Sequence, residues 1–415
     1  MYASLCLIAA ICVLNLNGVG VLMLGVGQLF SLPLLLASAL GWYWAVLRKP
    51  PVSQYLLVYL GVLTVYLGMG LLASVIHGLS RIDFSATVFV RYLTTAFIIV
   101  SVYLHVKMLG PESEQRLLRF VLVLIVIASA LIPFSAYINI SGALVTSSGR
   151  GTGVFANPNE AGIVAVSGIA LALSLELPAW LRRSLIVFLA AMAVMTFSKT
   201  SMMLCLLVYL AYQGLKPSLG RSLVYVLVTV VIGWGTLSLF KQDIIEQFDP
   251  KQAVRIAQLL NVLTMQGDVS DDDLTSGRAE LWELGMEKIS RHPFMGNGLG
   301  ELHSMEEART SVNKGVGQGV HNTYLLKLGD AGIFALSGFL FFILFFLWHA
   351  FRLRTASAGA RFVFLYMLVF AINAVSSHGM ELLRFHNFFL GLSMALLAHA
   401  ARQSQQSYLR NEAVQ

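Results

Sequence analysis

Charge is scarce in this chain. Only 12% of its 415 residues are charged and 57% are hydrophobic, whereas soluble domains carry about 25% charged residues. That balance excludes an ordinary soluble fold. Cysteine is nearly absent: Cys6, Cys12 and Cys205 lie in apolar runs, without the spacing of a disulfide framework or a metal site. No basic, aromatic-interleaved surface of the kind that binds nucleic acid is visible, so the net charge of +7 is assigned to membrane loops. The N-terminus lacks the basic region of a cleaved signal, and its first apolar run is expected to be a retained span.

What the chain has in abundance is apolar length. A helix needs about 20 apolar residues to cross a bilayer. Residues 2–47 are long enough for two such helices, with a turn near Asn15–Gly20 or a little later. Further spans are expected over 53–76, 86–108, 117–138, 155–177, 221–240, 323–351, 362–376 and 384–401. Residues 184–214 are too long for one span, and Ser198-Lys199-Thr200-Ser201 falls at their centre. Read as a short hairpin with Lys199 at its tip, they bring the expected total to twelve spans. Both termini then share one face with Arg48, Lys49, Arg182, Arg183, Arg352, Arg354 and Arg361. An eleven-span alternative splits these clusters between faces, against the positive-inside rule. The expected fold is therefore all-α and polytopic. Residues 1–240 hold spans one to nine, 241–322 a large outer loop, 323–402 spans ten to twelve, and 403–415 a cytoplasmic tail.

The 241–322 segment is the one long polar stretch, and it reads as folded. Asp249-Pro250 has the form of a helix start, with Val254, Ala257, Leu260 and Leu263 at helical spacing behind it. Asp271-Asp272-Asp273 reads as a solvated acidic turn, because no further metal-ligand spacing accompanies it. Thr275 or Ser276 can cap a helix over about 278–290, with Arg278 in its first turn. A cation there opposes the helix dipole unless an anion is bound. Gly296-Asn297-Gly298-Leu299-Gly300 is expected to be a flexible loop, and it lacks the strand and lysine of a nucleotide-binding loop. His321 stands where the next span begins, with Asn322 or Thr323 as cap. The dipole and partial burial both favour its neutral form, which suits a general base, although a capping or interfacial histidine fits the same position. Lys327 and Asp330, three residues apart on one helix, are expected to pair.

Other polar groups fall on the same outer face. Arg91 lies about a turn inside its span, where a charge calls for a partner. Asp83, an anionic ligand and snorkelling to the headgroups are all open to it. Arg150 leads into Phe155-Ala156-Asn157-Pro158-Asn159-Glu160-Ala161, an irregular span entrance of the kind tolerated beside a cavity. His378, Glu381, Arg384 and His386 gather near the last outer turn, where Glu381 and Arg384 fit either a structural pair or a site.

In this order, the Phe155–Ala161 run, Ser198–Ser201, Ser276-Gly277-Arg278 with Trp282, Pro293 with Gly296-Asn297-Gly298, and His321-Asn322-Thr323-Tyr324-Leu325 with Gly329 and Gly332 resemble the O-antigen ligase family. That family includes polysaccharide polymerases and protein O-oligosaccharyltransferases. The chain departs from the pattern at Lys199, where relatives commonly carry arginine; lysine binds phosphate as a point charge without the bidentate fork. The resemblance implies a GT-C-like membrane glycosyltransferase of the bacterial inner membrane, with its active site in the periplasm. Its donor would be a glycan on undecaprenyl pyrophosphate and its acceptor lipid A–core, with inversion and with neither metal nor cofactor. His321 would be the base and Arg278 the main cation on the leaving pyrophosphate, followed by Lys199, Arg150 and Arg91. Asn322, Asn157, Asn159 and Glu160 would orient substrate. A polymerase extending a lipid-linked glycan is the alternative. A transporter is disfavoured, because the chain shows no internal repeat and its ionisable groups cluster at one face rather than at the midplane.

Overall fold

The computed structural model describes residues 1–24, 29–77, 82–136, 151–155, 157–215, 278–305, 319–377 and 379–412. Among these, all regular secondary structure is helical. Helices suit a chain this apolar because each satisfies its own backbone hydrogen bonds inside a bilayer. Four of them are long and apolar enough to cross a membrane: Gln54–Ile76, Ser85–Lys107 (within a longer helix), Thr323–Arg352 and Ala358–Ser376. The expected outer segment over 241–277 and the span over 221–240 lie outside the described residues, as do Arg81, Arg150 and His378.

We number the helices in chain order. The N-terminal region comprises α1 (Tyr2–Val13), α2 (Leu16–Leu24) and α3 (Ser31–Arg48). Among the described residues a break falls at Asn15, where the turn is expected; its φ of 47° cannot continue a helix. Then come α4 (Gln54–Ile76), α5 (Ile82–Lys107), α6 (Pro111–Ala130), α7 (Pro158–Ser174), α8 (Ala179–Met195) and α9 (Lys199–Gly214). The C-terminal part comprises α10 (Ala279–Arg291), α11 (Thr323–Arg352), α12 (Ala358–Ser376) and α13 (Arg384–Glu412). The last helix runs on through the region expected to be a tail.

The chain divides into two compact units. One holds Met1–Cys12, Ser31–Leu118 and Arg278–Gln415; the other holds Val13–Phe30 and Arg119–Gly277. In the first, α11 packs along α4 and forms a hairpin with α12, while α13 packs along α5. One part of its core joins Tyr66, Leu67, Val88 and Tyr92 with Leu299, Ala331 and Ala335. In the second, α7 packs on both arms of an α8–α9 hairpin. The hairpin expected over 184–214 is present, turning at Thr196–Ser198 with Phe197 at φ 49°.

Candidate functional site

The short helix α10 is amphipathic, and its apolar side holds it in place. Leu281 and Ile289 pack with Leu302, Met305, Val320 and Leu326, so α10 lies against the start of α11. Arg278 is the N-cap residue of α10, one position earlier than expected, and makes no side-chain cap. Its charge therefore stands at the positive end of the helix. Burial pushes its guanidinium below the ordinary arginine value. Trp282, one turn further on, buries an indole Nε1–H that has no acceptor among the described residues.

His321 precedes α11, and its backbone is in the left-handed region at φ 48°. Histidine is among the few side chains enriched there, and such residues cluster where surrounding structure imposes a function. Asn322 is the N-cap, as expected, and its side-chain oxygen accepts from Tyr324 N at 3.0 Å and Leu325 N at 3.1 Å. Thr323 donates to the Ser377 carbonyl at 2.6 Å, fixing this turn to the end of α12. Burial first and the Arg278 charge second push the His321 imidazole down to about 4. It is therefore neutral at pH 7, and Arg278 is close enough to contribute. The structure thus brings together His321 and Arg278, the two residues given catalytic roles above.

The glycine loop after α10 is tied to its neighbours by backbone hydrogen bonds. Gly296, Gly298 and Gly300 all have positive φ, at 82°, 119° and 93°. Asn297 N donates to the Gly329 carbonyl at 2.7 Å, Gly298 N to the Asp330 carbonyl at 3.1 Å, and Leu299 N to the Gly70 carbonyl at 3.1 Å. These bonds answer a break in α11, where Gly332 takes φ 75° and ψ −171°. A break frees backbone groups, which a membrane helix tolerates only when protein satisfies them. The loop supplies the partners, and Ile333 N in turn donates to the Pro293 carbonyl at 3.2 Å. A β-carbon on Gly332 would stand 2.0 Å from the Phe294 carbonyl oxygen. The motif glycines thus form one interlock that hangs the His321-bearing end of α11.

Beneath it lies a buried polar network that the spacing did not reveal. The Asp330 carboxylate accepts from Tyr66 Oη at 2.9 Å, Gly300 N at 3.1 Å and Leu302 N at 3.0 Å, and bonds His303 Nδ1 at 3.1 Å. Asp330 is therefore not the partner of Lys327. Lys327 pairs with Glu381 and lies over the ring of Tyr66, 3.3 Å from its centroid. The pairing expected along one helix is replaced because the two side chains enter different networks. Burial opposes ionisation of Glu381, but Lys327 outweighs it and holds the carboxyl below its ordinary value. Glu381 thus pairs with Lys327 and not with Arg384.

In the second unit, two of the sequence motifs meet. Asn157 caps α7, its oxygen accepting from Asn159 N at 2.8 Å, with Pro158 as the first helical residue and Glu160 in the first turn. Ser198 caps α9, and Lys199 is that helix's first residue. Gly162 permits the approach: a β-carbon there would stand 2.3 Å from Ser201 Oγ and 2.9 Å from Thr196 Oγ1. Lys199, like Arg278, thus places a cation at a helix N-terminus. Arg91 lines a different cavity in the first unit, with Arg384. Among the described residues, no group of three His, Cys, Asp or Glu side chains is placed to hold a metal ion.

These observations describe a helical membrane protein with a neutral, half-buried histidine and a half-buried arginine at adjoining helix N-termini. Residues 184–340, which include Lys199, Arg278 and His321, match the family model described as O-antigen ligase, and this match supports an O-antigen ligase family assignment. No curated protein matches the chain.

Proposed function

We propose that this protein is an O-antigen ligase, transferring a glycan from undecaprenyl pyrophosphate to lipid A–core at the periplasmic face of the inner membrane. The observation that carries this reading is the juxtaposition of His321 and Arg278, inside the family match, with the imidazole held neutral at pH 7. In the reaction, the acceptor hydroxyl oxygen attacks the anomeric carbon and passes its proton to His321. The bond from that carbon to the pyrophosphate oxygen breaks with inversion, and the electron pair leaves with undecaprenyl pyrophosphate. Arg278 stabilises the charge that gathers there. His321 is a weak base in the free protein, and the arriving pyrophosphate anion raises its proton affinity.

On the family resemblance, Lys199 and Arg150 are further pyrophosphate cations, and Asn157, Asn159 and Glu160 orient substrate. Asn322 holds His321 through the cap described above. The same resemblance supports a twelve-span, GT-C-like arrangement with cytoplasmic termini, and the basic residues gathered on one expected face support that orientation.

The test is transfer by purified protein, given a polyprenyl-pyrophosphate-linked glycan with or without lipid A–core, in EDTA. Glycosylated lipid A–core, lost in folded His321→Ala and Arg278→Ala, is the expected result. Lengthening of the donor glycan without lipid A–core would make the protein a polymerase with the same site. Full activity of His321→Ala would overturn the base assignment.

A further inference from the structure

A second cationic site lies away from the histidine. Arg91, Thr94 and Thr95 share one face of α5, spaced three and four residues apart. With Val90, Leu382 and Arg384, the first residue of α13, they line a cavity of about 370 Å³. Neither His321 nor Arg278 lines it.

Three observations point to an anion. Arg91 falls inside Ser85–Lys107, a helix apolar enough to cross a membrane, where an unbalanced charge is costly. A second guanidinium on the same cavity compounds that cost, yet neither arginine pairs with an acid among the described residues. Glu381, three residues before Arg384, is bonded through Oε1 to Lys327 and Tyr92. Third, Thr95 is only 4% exposed, and its hydroxyl makes no hydrogen bond among the described residues. A helical threonine ordinarily spends that proton on the carbonyl four residues back, as Thr94 does on Val90 at 2.9 Å. The Thr95 proton is thus available to an acceptor in the cavity.

We propose that this cavity binds a phosphate group, held by the Arg91 and Arg384 guanidiniums and the Thr95 hydroxyl. Planar guanidiniums match phosphate oxygens bidentately, and a hydroxyl adds a directed donor. Val90 and Leu382 give the cavity apolar walls, and Arg91 belongs to a helix long and apolar enough to cross a membrane. The phosphate is therefore that of a membrane phospholipid, with the acyl chains continuing into the surrounding lipid. Binding here is independent of the transfer reaction and can fail while that reaction stands.

The test reads lipid retention directly. The full-length protein is placed in phosphatidylcholine nanodiscs containing a minor fraction of phosphatidylglycerol, and retained lipids are counted by native mass spectrometry. Wild type should keep one phosphatidylglycerol that the Arg91→Gln/Arg384→Gln variant loses, with affinity falling about tenfold or more. Thr95→Val, isosteric and buried, should fold normally and weaken retention by a smaller factor; Arg91→Lys/Arg384→Lys should fall between. A parallel arm adds inorganic phosphate. If it displaces the lipid only at high concentration, the headgroup is the ligand; if it binds first, the site holds phosphate from solution. Equal retention by wild type, Thr95→Val and the glutamine variant would overturn the proposal. So would equal retention of phosphatidylcholine and phosphatidylglycerol at this site.

Discussion

Asp330 accepts a hydrogen bond from the backbone of Leu302 at 3.0 Å while also bonding the side chain of His303, the next residue, at 3.1 Å. One fully buried carboxylate thus ties the end of the glycine loop to α11. Replacing it with alanine strands the Tyr66 hydroxyl and two backbone amides without an acceptor. Each orphaned donor costs about 1–3 kcal/mol. We expect Asp330→Ala to lose at least ~3 kcal/mol, read as a lowered melting temperature in detergent. Asp330→Asn, which keeps one acceptor oxygen, should lose less.

Gly332 and Gly68 make a controlled comparison within one protein. At Gly332 any β-carbon meets the Phe294 carbonyl, and φ is positive. At Gly68, in the interior of α4, a β-carbon meets nothing within 4 Å. Gly332→Ala should abolish folded protein in the membrane fraction. Gly68→Ala should be neutral or stabilising by up to about 1 kcal/mol, because alanine is the better helix former.

The Lys327–Glu381 pair predicts an asymmetry between single and double variants. Lys327→Met leaves a buried carboxylate without its cation and should cost about 3–5 kcal/mol. Lys327→Met with Glu381→Leu removes both charges and should recover much of that loss. Thermal denaturation of the three proteins decides it; a double variant as unstable as the single would show that the pair is not the relevant unit. Since the folded Glu381 value is depressed, its contribution is present above the ordinary carboxyl value of 4.5 and is lost as pH falls through the folded one.

His321 gives a second pH signature. Its folded value of about 4 lies below the ordinary 6.5, so between these values the unfolded chain binds more protons. The contribution of neutral His321 to stability is complete above pH 6.5 and falls as pH drops towards 4. Carbethoxylation by diethyl pyrocarbonate, which needs neutral imidazole, should titrate at His321 near pH 4 in wild type. In Arg278→Gln the midpoint should move up, because the nearby positive charge is gone. An unchanged midpoint would mean that burial alone sets the value.

Trp282 offers a donor that nothing described in the free protein uses. Trp282→Phe should therefore leave the melting temperature unchanged or slightly raised. Transfer activity should fall about tenfold if a sugar hydroxyl takes that bond. Loss of stability and activity together would instead assign the indole to packing.

Much of this architecture was legible from the chain. The α8–α9 hairpin, the cap at Asn322 and the helix beginning beside Arg278 follow from turn residues, apolar spacing and motif order; that His321 and Arg278 lie near each other does not, because their segments are far apart in the chain. What the sequence concealed are contacts between segments far apart in it. Gly296 to Gly300 read as freedom because glycine permits positive φ; nothing local says that each such residue is committed to a distant partner. Lys327 and Asp330 read as a pair because helical spacing is the one distance a sequence supplies. Tyr66, His303 and Glu381, which separate them, come from three other segments. Arg384 was likewise set against Glu381, its near neighbour in the chain, rather than beside Arg91 on another helix.

The interlock at Gly332 also bears on how the protein is made. Asn297 and Gly329, whose backbones bond across it, are 32 residues apart. The loop therefore leaves the ribosome well before the helix that completes it. Until α11 is inserted, the amides of Asn297 and Gly298 lack their native acceptors, and the Pro293 carbonyl lacks its donor. The end of α11 that carries His321 cannot settle before then either. Maturation of the candidate site thus waits on insertion of the tenth expected span, and a chain stalled between those events holds His321 and Arg278 without the framework that brings them together.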